Sequence, residues 1–311
     1  MKRIGFLILT ITLSLGTSAL AFADGPNSLR VGLMPAVNSI PLIVAEHDGL
    51  FQANGVQVEL VMFHNQLYRE SGLQTHTIDG SISDLVNAVA TVSNGFDIRV
   101  TSASEGDFAL LASPHAAVQN IAQWKAASGK IQTGSLENSI VNYVSERMLE
   151  TLKADPSKID LVPVLNLPSR IQMLLADKLQ AAVIPEPYAT MARMQGAHLI
   201  ADTRILPSTP GVLLFTGKAI AEKTPAIRAF YRAYNEAAAR VNADPNAYRS
   251  IIVAGGDFPP AVTNDLVIPH FAKATLPSEA VVQDVGAWMV SKHMIPEAVP
   301  YGNVTDGDLV R

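Results

Sequence analysis

The run AVIPEPYATM, residues 182–191, stops an apolar stretch at Pro185, places Glu186 between two prolines and follows at once with Tyr188. Proline fixes φ and keeps the residue before it extended, so the carboxylate and the ring leave the run on a stiff exit. Groups held this firmly are pre-organised for recognising a small molecule. Four other turns carry polar groups of the same kind. Asn38 and Ser39 lie in VNSI, Ser83 and Asp84 in SISD, and Ser104, Glu105 and Asp107 in SEGD; Ser135, Glu137, Asn138 and Ser139 lie in GSLENS. Three of these turns lead into helical patterns, where free backbone N–H groups join a hydroxyl or amide in holding a polar ligand. The same side chains also cap their own helices. The expected ligand contacts are Asn38, Ser39, Ser83, Asp84, Ser104, Glu105, Ser135, Asn138, Glu186 and Tyr188.

The charges in these turns bear on the ligand. Asp84, Glu105, Asp107, Glu137 and Glu186 are acidic, and the four turns hold no Lys or Arg. Nearby carboxylates oppose an oxyanion. They predict a neutral, cationic or zwitterionic organic solute, with an amine-bearing ring stacked on Tyr188 or Tyr143. Arg170, which opens a helix after Asn166, is the exception: pointed inward, it returns sulfonates and carboxylates to consideration.

Catalytic signatures are missing. The seven histidines, at 47, 64, 76, 115, 198, 270 and 293, form no pair at metal-ligand spacing, and no metal or cofactor is assigned. There is no G-x-S-x-G elbow, Walker loop or G-x-G-x-x-G. A nucleophile and base brought together only in space would leave no such mark.

The elements that must position these turns alternate. Strand patterns at 29–34, 56–63, 77–83 and 98–104 are separated by helical patterns, and a second cycle follows with strands at 130–133, 159–165 and 181–186. Such alternation implies α/β lobes with mostly parallel sheets flanked by helices. GVLLFT at 211–216 is a further strand, and Thr224-Pro225 opens a helix carrying Ile227, Phe230, Tyr231, Tyr234, Ala238 and Val241. No third cycle begins, so this last part is expected to return to the first lobe. The expected division is residues 24–112 and 208–311 in lobe one and 113–207 in lobe two, with crossings near Ser113 and Ser208. Ligands of open α/β sheets sit beyond the carboxyl ends of strands.

Lys2 and Arg3, an apolar stretch and Ala21-Phe22-Ala23 read as a secretory leader over residues 1–23, cut after Ala23. Losing Lys2 and Arg3 takes the formal net charge from −5 to −7, and nothing in the chain resembles a basic patch for nucleic acid. The chain has no cysteine, which excludes disulfides, a thiol nucleophile and a lipidated cysteine. A monomer in the periplasm is expected.

Four stretches carry a resemblance: LRVGLMPAVNSIPLIVAEHDGLFQANGVQVELVMF, TIDGSISDLVNAV, LLADKLQAAVIPEPYATMARMQGAHLIADT and KTPAIRAFYRAYNEAAARVNADP. In this order the chain resembles the extracytoplasmic solute-binding proteins of ABC importers for nitrate, taurine, other sulfonates and thiamine-type pyrimidines. The resemblance implies a type II periplasmic-binding-protein clamshell that takes its solute between two lobes and hands it to an ABC permease in the inner membrane. The alternative readings are an enzyme on the same fold, of thiamine-pyrimidine or menaquinone synthesis, and a soluble sensor partner of a membrane receptor.

Overall fold

The computed structural model describes residues 25–310. The leader expected over residues 1–23 lies outside them. Two sheets of five strands carry the fold. In the first, β1 (Ser28–Leu33) pairs in parallel with β2 (Gln57–Met62) and β3 (Gly80–Asp84), and a late strand returns antiparallel between β3 and β4 (Ile98–Ala103). In the second, β6 (Ile131–Ser135) pairs in parallel with β7 (Ile159–Pro163) and β8 (Ala181–Pro185), and β5 (Phe108–Ala112) runs antiparallel between β8 and β9 (His198–Asp202). The returning strand of the first sheet is β10 (Gly211–Thr216). The orders β2-β1-β3-β10-β4 and β7-β6-β8-β5-β9 give each lobe the same plan.

Helices cover both faces, which is why the strands read as continuous apolar runs. Along β10, Leu213 and Phe215 enter one core while Val212 and Leu214 enter another, the period-two division of a strand buried on both sides. The first core lies under α1 (Ile40–His47), α2 (Leu50–Ala53), α9 (Gly217–Ala243) and α10 (Pro245–Gly255). On the opposite face of this lobe lie α3 (Gln66–Gln74), α4 (Leu85–Ser93), α11 (Glu279–Ser291) and α12 (Tyr301–Val304). The second lobe carries α5 (Ile121–Ala126) and α6 (Ile140–Thr151) on one face and α7 (Leu167–Leu175) and α8 (Tyr188–Met194) on the other. The helix expected to open at Thr224-Pro225 is the second part of α9, whose backbone leaves helical angles at Lys223 (φ −130°, ψ 22°). Among the described residues no helix is long and apolar enough to cross a membrane.

The chain crosses between sheets at residues 104–107 and 203–210. Ser208 lies in the second crossing, and FALLA at 108–112, just before Ser113, is β5 of the second sheet. An apolar run of five carries no mark of which sheet will take it. The two crossings run side by side: Ser104 donates its N–H to Gly211 at 2.9 Å, and Phe108 donates to Thr203 Oγ1 at 3.0 Å. A Cβ on Gly211 would lie 2.6 Å from the Ser104 carbonyl oxygen, so only glycine allows this approach. Gly211→Ala is expected to lower stability by about 1–3 kcal/mol in urea unfolding. An unchanged midpoint would contradict the tight crossing.

Candidate functional site

The carboxyl ends of β1, β3 and β4 in one lobe and of β6, β7 and β8 in the other carry the turns singled out in the sequence. An open recess between the lobes is lined by Gln66, Asp84 and Asn87 of the first and Asn138, Ser139 and Ile140 of the second, with Met294 at its side. It joins the amino ends of α4 and α6. Asp84 caps α4 by accepting from the Asn87 N–H at 2.9 Å, and burial raises its pKa to about 6. Ser139 begins α6 without capping it through its side chain. The N–H groups of the first turn of α6 therefore lack a side-chain acceptor from their cap, at the helix end that favours negative charge. Asn138 is exposed in the left-handed region at φ 54°.

Two more expected contacts are buried and incompletely bonded, one in each lobe. Asn38 Nδ2 sits 3.5 Å from Ser104 Oγ, but Asn38 Oδ1 has no partner, and Ser135 Oγ at the end of β6 has none either. Buried polar atoms are nearly always bonded, so such atoms point to a partner outside the chain. Ser39 is committed to the fold, donating to the Met34 carbonyl at 2.8 Å. Ser83 Oγ accepts from Arg69 Nη2 and Asn87 Nδ2, each at 3.2 Å.

The acids are dispersed where the sequence reading had them converge. Glu186 is buried just before the Pro187 cap of α8 and accepts from the first-turn Thr190 N–H at 2.9 Å, and the Glu186–Pro187 peptide is cis. Burial raises its pKa. With Asp107, Arg193, Asp202 and Arg204 it lines a second recess beside the crossings. Glu105 is partly buried near Asp107 and His270, and burial followed by the Asp107 charge raises its pKa. Glu137 is exposed. Tyr188 is half-buried, whereas Tyr143 meets Trp288 edge-on at 5.4 Å and offers no open face for stacking a ring.

The cations are the part of the site that the acids obscured. Arg170 points inward and is 3% exposed. It folds over the carboxyl end of the second sheet, with Nε and Nη2 donating to the Val164 carbonyl at 3.2 and 2.8 Å and Nη1 to the Val183 carbonyl at 3.0 Å. A guanidinium has five N–H donors, so one on each terminal nitrogen is left over. Among the described residues no carboxylate pairs with it, and burial alone lowers its pKa to about 10.

Arg69, which the sequence reading did not single out, holds the matching position in the first lobe. Asn65 caps α3 and Arg69 is its fourth residue, just as Asn166 caps α7 and Arg170 is its fourth. Both helices follow the edge strand of their sheet. Arg69 is 4% exposed and donates to Ser83 and toward the Met34 sulfur over the ends of β3 and β1. Its charge, however, is answered by Glu70 at 2.6 Å, and Ile171 stands where Glu70 would be in the second lobe. The repeated spacing N-x-x-x-R was the signal in the sequence.

Comparison with known proteins agrees with this geometry. The NMT1-like family model matches residues 23–254, and the chain belongs to that family. An ABC transporter periplasmic binding protein of Brachyspira hyodysenteriae is 23% identical over 237 residues, 70% of this chain and 66% of that protein, just under two thirds of its length. Among solved structures, the ligand-binding component of an ABC-type import system from Staphylococcus aureus superposes with TM-score 0.77 at 14% identity, over 91% of this chain and 98% of that one. The alkanesulfonate-binding protein of Xanthomonas axonopodis pv. citri, bound to MOPS, does so with TM-score 0.72 at 19% identity, over 91% and 99%. The fold is the two-lobed fold of periplasmic binding proteins.

Asp84 gives the site a pH signature. Its folded pKa of about 6 lies above the ordinary aspartate value, so the native state holds this proton more tightly than the unfolded chain. The contribution is complete below about pH 4 and is lost as pH rises through about 6. Asp84→Asn keeps the cap and is expected to remove that fall, about 1–3 kcal/mol between pH 4 and 7. Urea unfolding across this range checks it, and identical slopes in the two proteins would contradict it.

Proposed function

We propose that this chain is the extracytoplasmic solute-binding component of an ABC importer of the nitrate/sulfonate type, and that its solute carries a sulfonate or carboxylate group. One observation carries the choice of an anion: Arg170 is buried at the cleft end of the second sheet with two spare N–H donors and, among the described residues, no carboxylate beside it. A charge taken out of water without a counter-ion is costly, and a bound anion removes that cost. Ser135 Oγ and the open first turn of α6 add neutral donors from the same lobe.

The acids no longer favour an amine-bearing ring. Asp84 is occupied as the cap of α4 and Glu186 by the first-turn Thr190 N–H of α8, and Glu105 and Asp107 lie in the first crossing. Asn38 of the first lobe is left to read the remainder of the solute. Binding then proceeds by population shift: the solute bridges the lobes and favours the closed form by as much as it binds that form better. The closed form is handed to a permease, and no covalent step is needed.

Titration calorimetry of residues 24–311 against a short alkanesulfonate, a short carboxylate and an aminopyrimidine tests the reading. An acid is expected to bind most tightly. Arg170→Met is expected to weaken it by about 2–5 kcal/mol, roughly thirtyfold to several-thousandfold, while stability without solute stays level or rises. Tighter binding of the aminopyrimidine, or full affinity in Arg170→Met, would overturn it.

A further inference from the structure

Away from the recess, the lobes meet along a second seam between α6 and α11. Tyr143, Glu146 and Arg147 share one face of α6, at the spacing that brings side chains together on a helix. Asp284 and Trp288 stand four apart on α11, and Lys292 follows at its end. Asp284 accepts from Tyr143 Oη at 2.6 Å and from Arg147 Nε and Nη2 at 2.8 and 3.1 Å. Glu146 accepts from Trp288 Nε1 at 2.9 Å and from Lys292 Nζ at 2.7 Å. The Tyr143 ring meets Trp288 at 5.4 Å and 78°, and the Arg147 guanidinium lies 5.2 Å from the Tyr143 centroid.

Each of these hydrogen bonds and the Tyr143–Trp288 contact run from one lobe to the other, the Arg147–Tyr143 contact lies within α6, and none of the six residues lines the recess. The charges alternate along the seam, with an acid and a base on each side. Tyr143 and Trp288 are buried by the contact, whereas the Asp284 side chain stays 48% exposed. The ion pairs of such a seam are rehydrated on separation and add little to the cost of opening, whereas the burial of the two rings holds the lobes together.

We propose that the α6–α11 seam is a solute-independent latch between the lobes, whose six side chains act as positioning residues that set solute affinity through the population of the closed form. The effect on affinity rests on the binding-protein reading above; the latch itself does not. An apparent dissociation constant equals the intrinsic one divided by the fraction of molecules able to bind. Weakening the latch therefore weakens solute binding without touching the site.

The test reads lobe separation with no solute present, so it stands whatever the solute is. The chain has no cysteine, which makes introduced cysteines unique labelling sites. Tyr68→Cys in the first lobe and Leu165→Cys in the second, at positions 72% and 81% exposed after the two edge strands, take a spin-label pair for pulsed dipolar spectroscopy. The parent is expected to show a dominant short distance. Glu146→Gln with Asp284→Asn is expected to lower the ratio of closed to open molecules about threefold to fivefold for each pair weakened. Molar salt should act in the same direction on the parent. The exchange Arg147→Asp with Asp284→Arg should restore the short distance. If the double variant unfolds, Tyr143→Phe, which removes one hydroxyl, must shift the distribution the same way by a smaller factor. A distribution unchanged in a folded variant would overturn the latch and make the seam a fixed part of the hinge.

Discussion

A guanidinium withdrawn from water must be answered by other charges or dipoles, and among the described residues Arg170 is answered by two backbone carbonyls. This arrangement depends on the parallel strands around it. β6 ends between β7 and β8, so the carbonyls of Val164 and Val183 flank a gap that the side chain fills. The helix start at Asn166 sets the fourth residue of α7 over that gap. An unpaired cation at the cleft end of a sheet costs stability while the cleft is empty, and gives the strongest attraction to an anion that enters it.

The first lobe shows the same construction with its charge cancelled. Asn65 and Arg69 repeat Asn166 and Arg170, but Glu70 neutralises the guanidinium and Asp84 lies close by. One lobe therefore offers a charge and the other a balanced polar surface with Asn38 at its edge. A solute with one acidic group and a polar remainder matches this asymmetry. Closure brings the two surfaces together, and the α6–α11 seam adds a contribution independent of what lies between them. Under the two proposals, capture depends on two separate terms, an anion at Arg170 and the resting population of the closed form.

Much of the architecture was legible in the sequence. Alternating strand and helix periodicities foretold two α/β lobes, and the kink before Pro225 follows from proline chemistry. The placement of FALLA was not legible, because a short apolar run suits either sheet. At the site, Asp84 and Asn138 line the interlobe recess, each in a turn that leads from a strand into a helix. Glu186 is bonded to the free Thr190 N–H of the helix that follows it, a local demand that the sequence does not separate from a ligand contact. Tyr143 was read as a stacking surface because a helix pattern gives no sign of what an opposing lobe will bring. Counting charges in turns also hid Arg69, which reaches the strand ends from the first turn of the following helix, as Arg170 does.

A crystal structure of the protein with its solute bound is the most direct measurement of the central claim. The account predicts the acidic group of the solute within hydrogen-bond distance of the Arg170 guanidinium, with Ser135 Oγ or the first N–H groups of α6 as further donors. A solute held instead through an amine on Asp84 or Glu186, with Arg170 still bonded only to Val164 and Val183, would contradict it.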